Sequence, residues 1–319
     1  MKIFITGVAG FVAFNFANEL LKNKKIKVYG IDNLNSYYSI KLKKNRLKEL
    51  KKKKNFFFIK ANLTKKEEIH KIFKQHKFNE VYNFAAQAGV RYSIENPTQY
   101  IDNNVMGFSN LLDLSRVFKV NKFFYASSSS VYGDNKKFPL NENEIAKPKN
   151  IYGLSKKFNE EIAKSFYEVY GYKTIGLRFF TLFGEWGRPD MFFIKLLNAS
   201  FNKKKFYLNN KGNHVRDFTY IKDVVSILLK LRKAKIENNE IYNICSNKPQ
   251  GLKKIIKYIS NYIPKTKIVL CKKQIADMYK THGDNRKILK KIPGFKFTDI
   301  NASLLKTIYW FKKNKNLFS

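Results

Sequence analysis

Residues 1–21 read MKIFITGVAGFVAFNFANELL, and the stretch GVAGFVA within them, Gly7 to Ala13, decides how the rest of the chain is read. An apolar run rich in β-formers leads into two glycines, and a helix-forming segment follows. The spacing is Gly-x-x-Gly-x-x-Ala. Glycine at the first two positions lets the backbone turn sharply and approach a phosphate, whose charge the start of a helix favours. The third position serves helix–strand packing, so the methyl of Ala13 is tolerable there. Taken alone, the loop is either a phosphate cradle or a structural turn.

Outward from that loop, strand-like and helix-like segments alternate. KIFITG (2–7), KVYGID (27–32), FFFIKA (56–61), EVYNFAA (80–86), KFFYASS (122–128) and KTIGLRFF (173–180) read as buried strands. Between them, segments at 11–23, 40–54, 65–76, 98–119 and 152–170 carry apolar residues at helical spacing. Alternation of this kind predicts an α/β fold, a Rossmann-type doubly wound parallel sheet over residues 1–180. Past 180 the pattern loosens into a smaller C-terminal α/β substrate-binding lobe, 181–319. Helices are expected at 190–202, 221–235, 251–263 and 301–314, with strands FYLNN, EIYNIC and KIVLC, and some of these segments return to the first domain. Asp32, at the end of the second strand, is placed to hydrogen-bond a ribose diol. A carboxylate there favours NAD over NADP, and no arginine stands beside it in sequence.

The bulk properties bound the function. The 319 residues carry 44% hydrophobic residues and a net charge of +39. Lysine is spread over nearly every predicted helix and loop, as in KLKKNRLKELKKKK (Lys41 to Lys54), so the charge reads as a general surface property and not as a nucleic-acid footprint. The longest apolar runs, such as VVSILLKL (Val224 to Leu231), are too short to span a bilayer, and a cytoplasmic protein is expected. Cys245 and Cys271 form no metal-type cluster and are expected to pack in the core.

Chemistry is concentrated in two neighbouring segments. Tyr152 and Lys156, in IYGLSKK, are four apart and share one helix face. The lysine's charge is expected to lower the phenol's pKa and make it a base. KFFYASSSSVYG precedes the pair and places hydroxyls at the C-terminal end of a strand, where open sheets bind ligands. A Ser/Tyr/Lys set beside a nicotinamide is a hydride-transfer site.

With these residues in place, the chain resembles the extended short-chain dehydrogenase/reductases acting on nucleotide sugars, and within them the UDP-glucuronate 4-epimerases. The carrying segments are GVAGFVA, GIDNLNSYYS, NFAAQAGVRYSIENP, YASSSSVYG, YGLSK, GLRFFTLFGEWGRPDM and RDFTYIKDVV, almost end to end. The resemblance implies that Gly7, Gly10 and Ala13 form the NAD pyrophosphate loop, that Asp32 and Asn33 contact the adenosine ribose, and that Asn62 and Leu63 lie near the adenine. It implies that Ala85 and Ala86 flank the cofactor, that Ser128 is the catalytic hydroxyl, Tyr152 the base and Lys156 the cofactor-holding lysine. Ser129 and Ser130 fall in range of the sugar, and Arg216, followed by Asp217, matches a diphosphate contact.

Related 4,6-dehydratases carry an Asp-Glu pair where this chain has Ser129-Ser130, so that elimination is not expected. Thr181, the serine run, Arg91 and Arg188 supply hydroxyls and positive charge suited to a substrate carboxylate. The expected activity is therefore 4-epimerisation of a UDP-sugar, UDP-glucuronate to UDP-galacturonate, in polysaccharide biosynthesis by a homodimer. The alternatives are a 4-epimerase of UDP-glucose or of an N-acetylated uronate, and a non-catalytic NAD-binding regulator. Glu185 replaces a usual proline and is expected to add negative charge near the sugar. The segment KKQIADMYKTHGD matches the family loosely, retaining Gln274, Asp277, Thr281 and Asp284.

Overall fold

The computed structural model describes residues 1–274 and 278–318. Seven strands form one parallel sheet: β1 (Lys2–Thr6), β2 (Lys27–Asp32), β3 (Phe56–Lys60), β4 (Glu80–Asn83), β5 (Lys122–Ser128), β6 (Thr174–Phe179) and β10 (Glu240–Ile244). Their order is β10-β6-β5-β4-β1-β2-β3, so the direction of winding reverses between β1 and β4. That reversal opens a crevice at the C-terminal strand ends, where doubly wound sheets take their ligands. The strands are rich in Ile, Val, Phe and Tyr because helices cover both faces; β1 and β4 are buried almost throughout.

The helices α1 (Phe11–Leu20), α2 (Ile40–Lys51) and α3 (Lys66–Gln75) connect the first strands. The long helix expected at 98–119 is instead broken. Two short turns, α4 (Tyr92–Glu95) and α5 (Pro97–Tyr100), lead into a π-helical stretch at Ile101–Met106 and then α6 (Gly107–Val117). The strand expected at 80–86 ends at Asn83, and the next residues turn into the crevice. EIYNIC, read from its pattern as part of the C-terminal lobe, supplies β10 at the edge of the large sheet, parallel to β6. Alternation of polarity records that a strand exists but not which sheet it joins.

Three short strands escaped the sequence reading. These are β7 (Thr181–Phe183), β9 (Val215–Tyr220) and β11 (Pro249–Gly251), which form a separate sheet ordered β11-β9-β7. A two-stranded pair, β8 (Phe206–Leu208) with β12 (Ile268–Leu270), completes the lobe. The remaining helices are α7 (Ile151–Tyr170), α8 (Phe192–Phe201), α9 (Ile221–Lys233), α10 (Leu252–Ile259), α11 (Arg286–Lys291) and α12 (Ile300–Asn314). A hydrophobic core runs without a break from β1 and α1 through α9 to α8 and α12. Cys245 is fully buried, whereas Cys271 is only partly so. Among the described residues, no helix is long and apolar enough to cross a membrane.

A buried polar network fixes α7 against the strand ends. The Arg178 guanidinium on β6 donates from Nε and Nη2 to Glu160 on α7, at 2.9 and 2.8 Å, with both side chains nearly solvent-free. Ser127 Oγ donates to the same carboxylate at 2.6 Å. Arg178 Nη1 donates to the Tyr132 hydroxyl at 2.9 Å, and that hydroxyl donates to Asn243 Oδ1 on β10 at 2.7 Å. Removing one partner of such a pair strands the other charge in a low-dielectric interior. Glu160→Gln is expected to lower unfolding free energy in urea titrations by about 3–5 kcal/mol; a loss below about 1 kcal/mol, the scale of an exposed pair, would contradict this account.

Candidate active site

A single cleft of about 480 Å³ runs along the C-terminal ends of the large sheet. At one end is the turn after β1. Gly7 adopts φ +65°, and a Cβ there would lie 2.8 Å from Ala85 Cα. A Cβ on Gly10 would lie 2.8 Å from the Gly7 carbonyl oxygen. Both positions thus require glycine, and the backbone so exposed lies at the start of α1. Ala13, in the first turn of α1, lines the cleft while packed in the core.

Asp32 ends β2 on the wall beside this turn. Its carboxylate accepts from Ala9 N at 3.1 Å and Leu34 N at 2.8 Å. Burial raises its pKa, against which those amides and the charges of Lys43 and Arg46 act. Cations therefore do stand near Asp32, brought there by α2 and not by neighbouring sequence. Lys43 lines the cleft and donates to the Asn35 carbonyl and side-chain oxygens, each at 2.7 Å. Asn33, Asn62, Leu63, Ala85 and Ala86 also line this half. The glycine cradle, the Asp32 carboxylate beside it and the flanking small residues fit a dinucleotide.

The other half gathers the hydroxyls. Tyr152, Lys156 and Glu160 repeat every four residues along one face of α7, and each meets the end of β5. Asn150 caps this helix through Gly153 N at 2.8 Å, and a Cβ on Gly153 would lie 2.6 Å from the Ser130 carbonyl oxygen. The glycine lets the serine turn close on the helix. Ser128 Oγ accepts from Ser130 N at 3.1 Å, capping the 3-10 turn Ser129–Tyr132. Ser128, Ser129, Ser130, Tyr152, Lys156 and Thr181 all line the cleft.

The electrostatics of the pair differ from the sequence expectation. Burial raises the Tyr152 pKa, while Ser128 and the charge of Arg188 act to lower it. The Lys156 ammonium donates to the Ala126 carbonyl at 2.9 Å. Burial pulls Lys156 itself down to about 8.

Arg188 and Arg216 also line the cleft. Arg188 is held by Asp190 through Nε at 2.9 Å and Nη2 at 3.0 Å. Arg216, on β9, donates to the carbonyls of Val215, Tyr279 and Met278. Its neighbour Asp217 points the other way and is fully buried, accepting from Ser246 N and Oγ, Asn247 N and Gly283 N. Thr281 lines the cleft, Gln274 is exposed, and Asp284 is bound by Arg286. Asp277 lies outside the described residues.

Two expectations are corrected here. Arg91 is set back from the cleft lining, with Nη1 donating to the Asn209 side-chain oxygen at 3.0 Å. Glu185 does not face the cleft either; its Oε1 accepts from the Tyr220 hydroxyl at 2.7 Å and its carbonyl from Asn15. Residues that sequence reasoning passed over include Tyr37, Lys43 and Gln87. Lys43 and Arg46 are buried three apart on α2, the signal being two cations among the apolar positions of that helix.

A model described as the NAD dependent epimerase/dehydratase family matches residues 3–245. The chain is 40% identical over 319 residues to protein MJ1055 of Methanocaldococcus jannaschii, covering 99% of this chain and 97% of that one. It is 34% identical over 316 residues to a UDP-glucuronate 4-epimerase of Thermodesulfobacterium geofontis, covering 98% and 97%. In three dimensions it resembles the UDP-glucuronic acid 4-epimerase from Bacillus cereus, crystallised with UDP-glucuronic acid and NAD. There the TM-score is 0.92 at 27% identity, covering 98% of this chain and 100% of that one. A glycine-cradled cleft at the switch point of the sheet and kinship over the full length agree: this chain belongs to the NAD dependent epimerase/dehydratase family.

Proposed function

We propose that the chain interconverts UDP-glucuronate and UDP-galacturonate by inverting C4 of the sugar. The observation that carries this reading is the meeting, at one end of the cleft, of the Tyr152–Lys156 face, the Ser128–Ser130 turn and Arg188. Kinship with a T. geofontis enzyme and a B. cereus enzyme named for this reaction supports it.

Gly7, Gly10, Ala13, Asp32, Asn33, Asn62, Leu63, Ala85, Ala86 and Lys156 hold NAD. Bound there, the dinucleotide supplies a hydride acceptor that gives the hydride back to the opposite face of the sugar. Tyr152 takes the proton of the 4-hydroxyl as that bond is oxidised, with Ser128 hydrogen-bonded to the same oxygen, and returns it after reduction. Between the two transfers the 4-keto sugar turns about its diphosphate linkage. Arg216 anchors the diphosphate during that turn, as part of the nucleotide-binding lobe. The keto sugar is a β-keto acid and loses carbon dioxide readily when its carboxylate is free to eject electrons towards the ketone. Ser129, Ser130, Thr181 and Arg188 engage the carboxylate and oppose that loss. Two copies pair through α7, whose Leu154 and Phe158 are exposed, and the enzyme works in the cytoplasm.

Incubation with UDP-glucuronate is expected to yield UDP-galacturonate by NMR, and Tyr152→Phe to lower turnover by at least about 10²-fold with NAD retained. A UDP-pentose as main product would contradict the proposed carboxylate contacts. NAD affinity is predicted to depend on Lys156: charged below about 8 and neutral above it, it should hold the anionic cofactor less tightly as pH rises through that value. Lys156→Arg should remove this limb from a calorimetric titration, and an unchanged limb would refute the assignment. Gly10→Val places a side chain against the Gly7 carbonyl and is expected to yield protein without bound NAD, read by absorbance after denaturation.

A further inference from the structure

Arg188 is gripped from one side. Its Nε and Nη2 are both taken by Asp190, and the Tyr37 hydroxyl donates to Asp190 Oδ2 at 3.2 Å. Nη1 makes no hydrogen bond among the described residues. Arg188 and Tyr37 line the cleft, whereas Asp190 does not. The carboxylate therefore holds the guanidinium from behind. The Arg188 side chain is 23% exposed and that of Asp190 37%, so the pair sits at the rim and not in the core.

The backbone just before Arg188 is fixed as well. Arg46, fully buried, donates from Nη2 to the carbonyls of Trp186 and Gly187 and from Nη1 to the carbonyl of Ala9, in the glycine turn. Tyr37 and Arg46 both belong to the segment that follows β2. The NAD-binding half of the molecule thus sets where this arginine of the other half stands. A long, flexible side chain loses rotamer freedom when it binds an anion, and a clamp that has already removed that freedom leaves more of the interaction as affinity.

We propose that Asp190 and Tyr37 are positioning residues that hold the Arg188 guanidinium by its Nε/Nη2 edge and present the Nη1 side to the carboxylate of the sugar. This rests on the reading of the cleft as a UDP-glucuronate site, and it assigns the recognition of the acid group to a three-residue relay. A planar guanidinium has two usable edges, and occupying one with a fixed carboxylate selects the other for the ligand.

The test is steady-state kinetics of the NAD-loaded full chain with UDP-glucuronate, with calorimetric binding of UDP alongside, for wild type, Asp190→Asn, Tyr37→Phe, Arg188→Met and the double variant Asp190→Asn/Arg188→Met. Asp190→Asn is expected to raise KM for UDP-glucuronate about tenfold, a coupling within the range of side chains in contact. Its kcat should stay within about threefold and its UDP affinity and bound NAD unchanged, with Tyr37→Phe smaller in the same direction. In the Arg188→Met background, Asp190→Asn should add nothing. Lower or unchanged KM, an equal loss of UDP affinity, or additivity with Arg188→Met would each overturn the proposal while leaving the epimerase reading intact. Failure of the wild type to turn over UDP-glucuronate would overturn both.

Discussion

Burying a guanidinium and a carboxylate together is costly unless their donors and acceptors are matched. At Glu160 and Arg178 the matching is close: the carboxylate takes two guanidinium nitrogens and the Ser127 hydroxyl, and the remaining nitrogen is spent on Tyr132 and the Glu142 carbonyl. The consequence is geometric. With Glu160 locked to β6 and to Ser127, the turns of α7 that precede it lie at fixed heights against the end of β5. Lys156 then reaches Ala126, and Tyr152 comes to Ser128. Three successive turns of one helix thereby meet the last three residues of β5. Tyr132, the far end of the same network, closes the serine turn and joins it to β10.

Charge is handled in the cleft by the same rule. The chain carries +39 overall, yet the cations lining the cleft are few and each is held by the protein. Lys43 is bound by Asn35, Lys156 by the Ala126 carbonyl, Arg188 by Asp190 and Arg216 by three carbonyls. Oriented cations lining a cleft act on a bound anionic ligand at close range, whereas the many surface lysines are screened by solvent and salt. The surface charge has no comparable bearing on the chemistry.

Much of this was legible in the sequence, for physical reasons that differ by element. The parallel strands were visible because burial on both faces leaves continuous apolar runs, and the glycine turn because Gly7 and Gly10 occupy positions where a Cβ would strike backbone. Tyr152 and Lys156 were visible because a four-residue spacing puts them on one helix face. What stayed hidden depended on tertiary placement. The strands β7 and β11 are three residues long, too short for polarity to repeat, and β9 carries Arg216 and Asp217 among its apolar residues. Lys43 and Arg46 reach Asp32 only because α2 folds back over the glycine turn. Arg91 was expected to meet a sugar acid by its charge and Glu185 to add negative charge near the sugar, yet Arg91 pairs with the Asn209 side chain and Glu185 with the Tyr220 hydroxyl.

The central claim is that one site oxidises and re-reduces the same carbon without releasing what it removed. Deuterium placed at C4 of UDP-glucuronate, followed by NMR with no external NAD added, tests it most directly. The account predicts that the UDP-galacturonate formed keeps deuterium at C4 and keeps its carboxylate. Loss of the label to solvent, or product lacking the carboxylate, would contradict it.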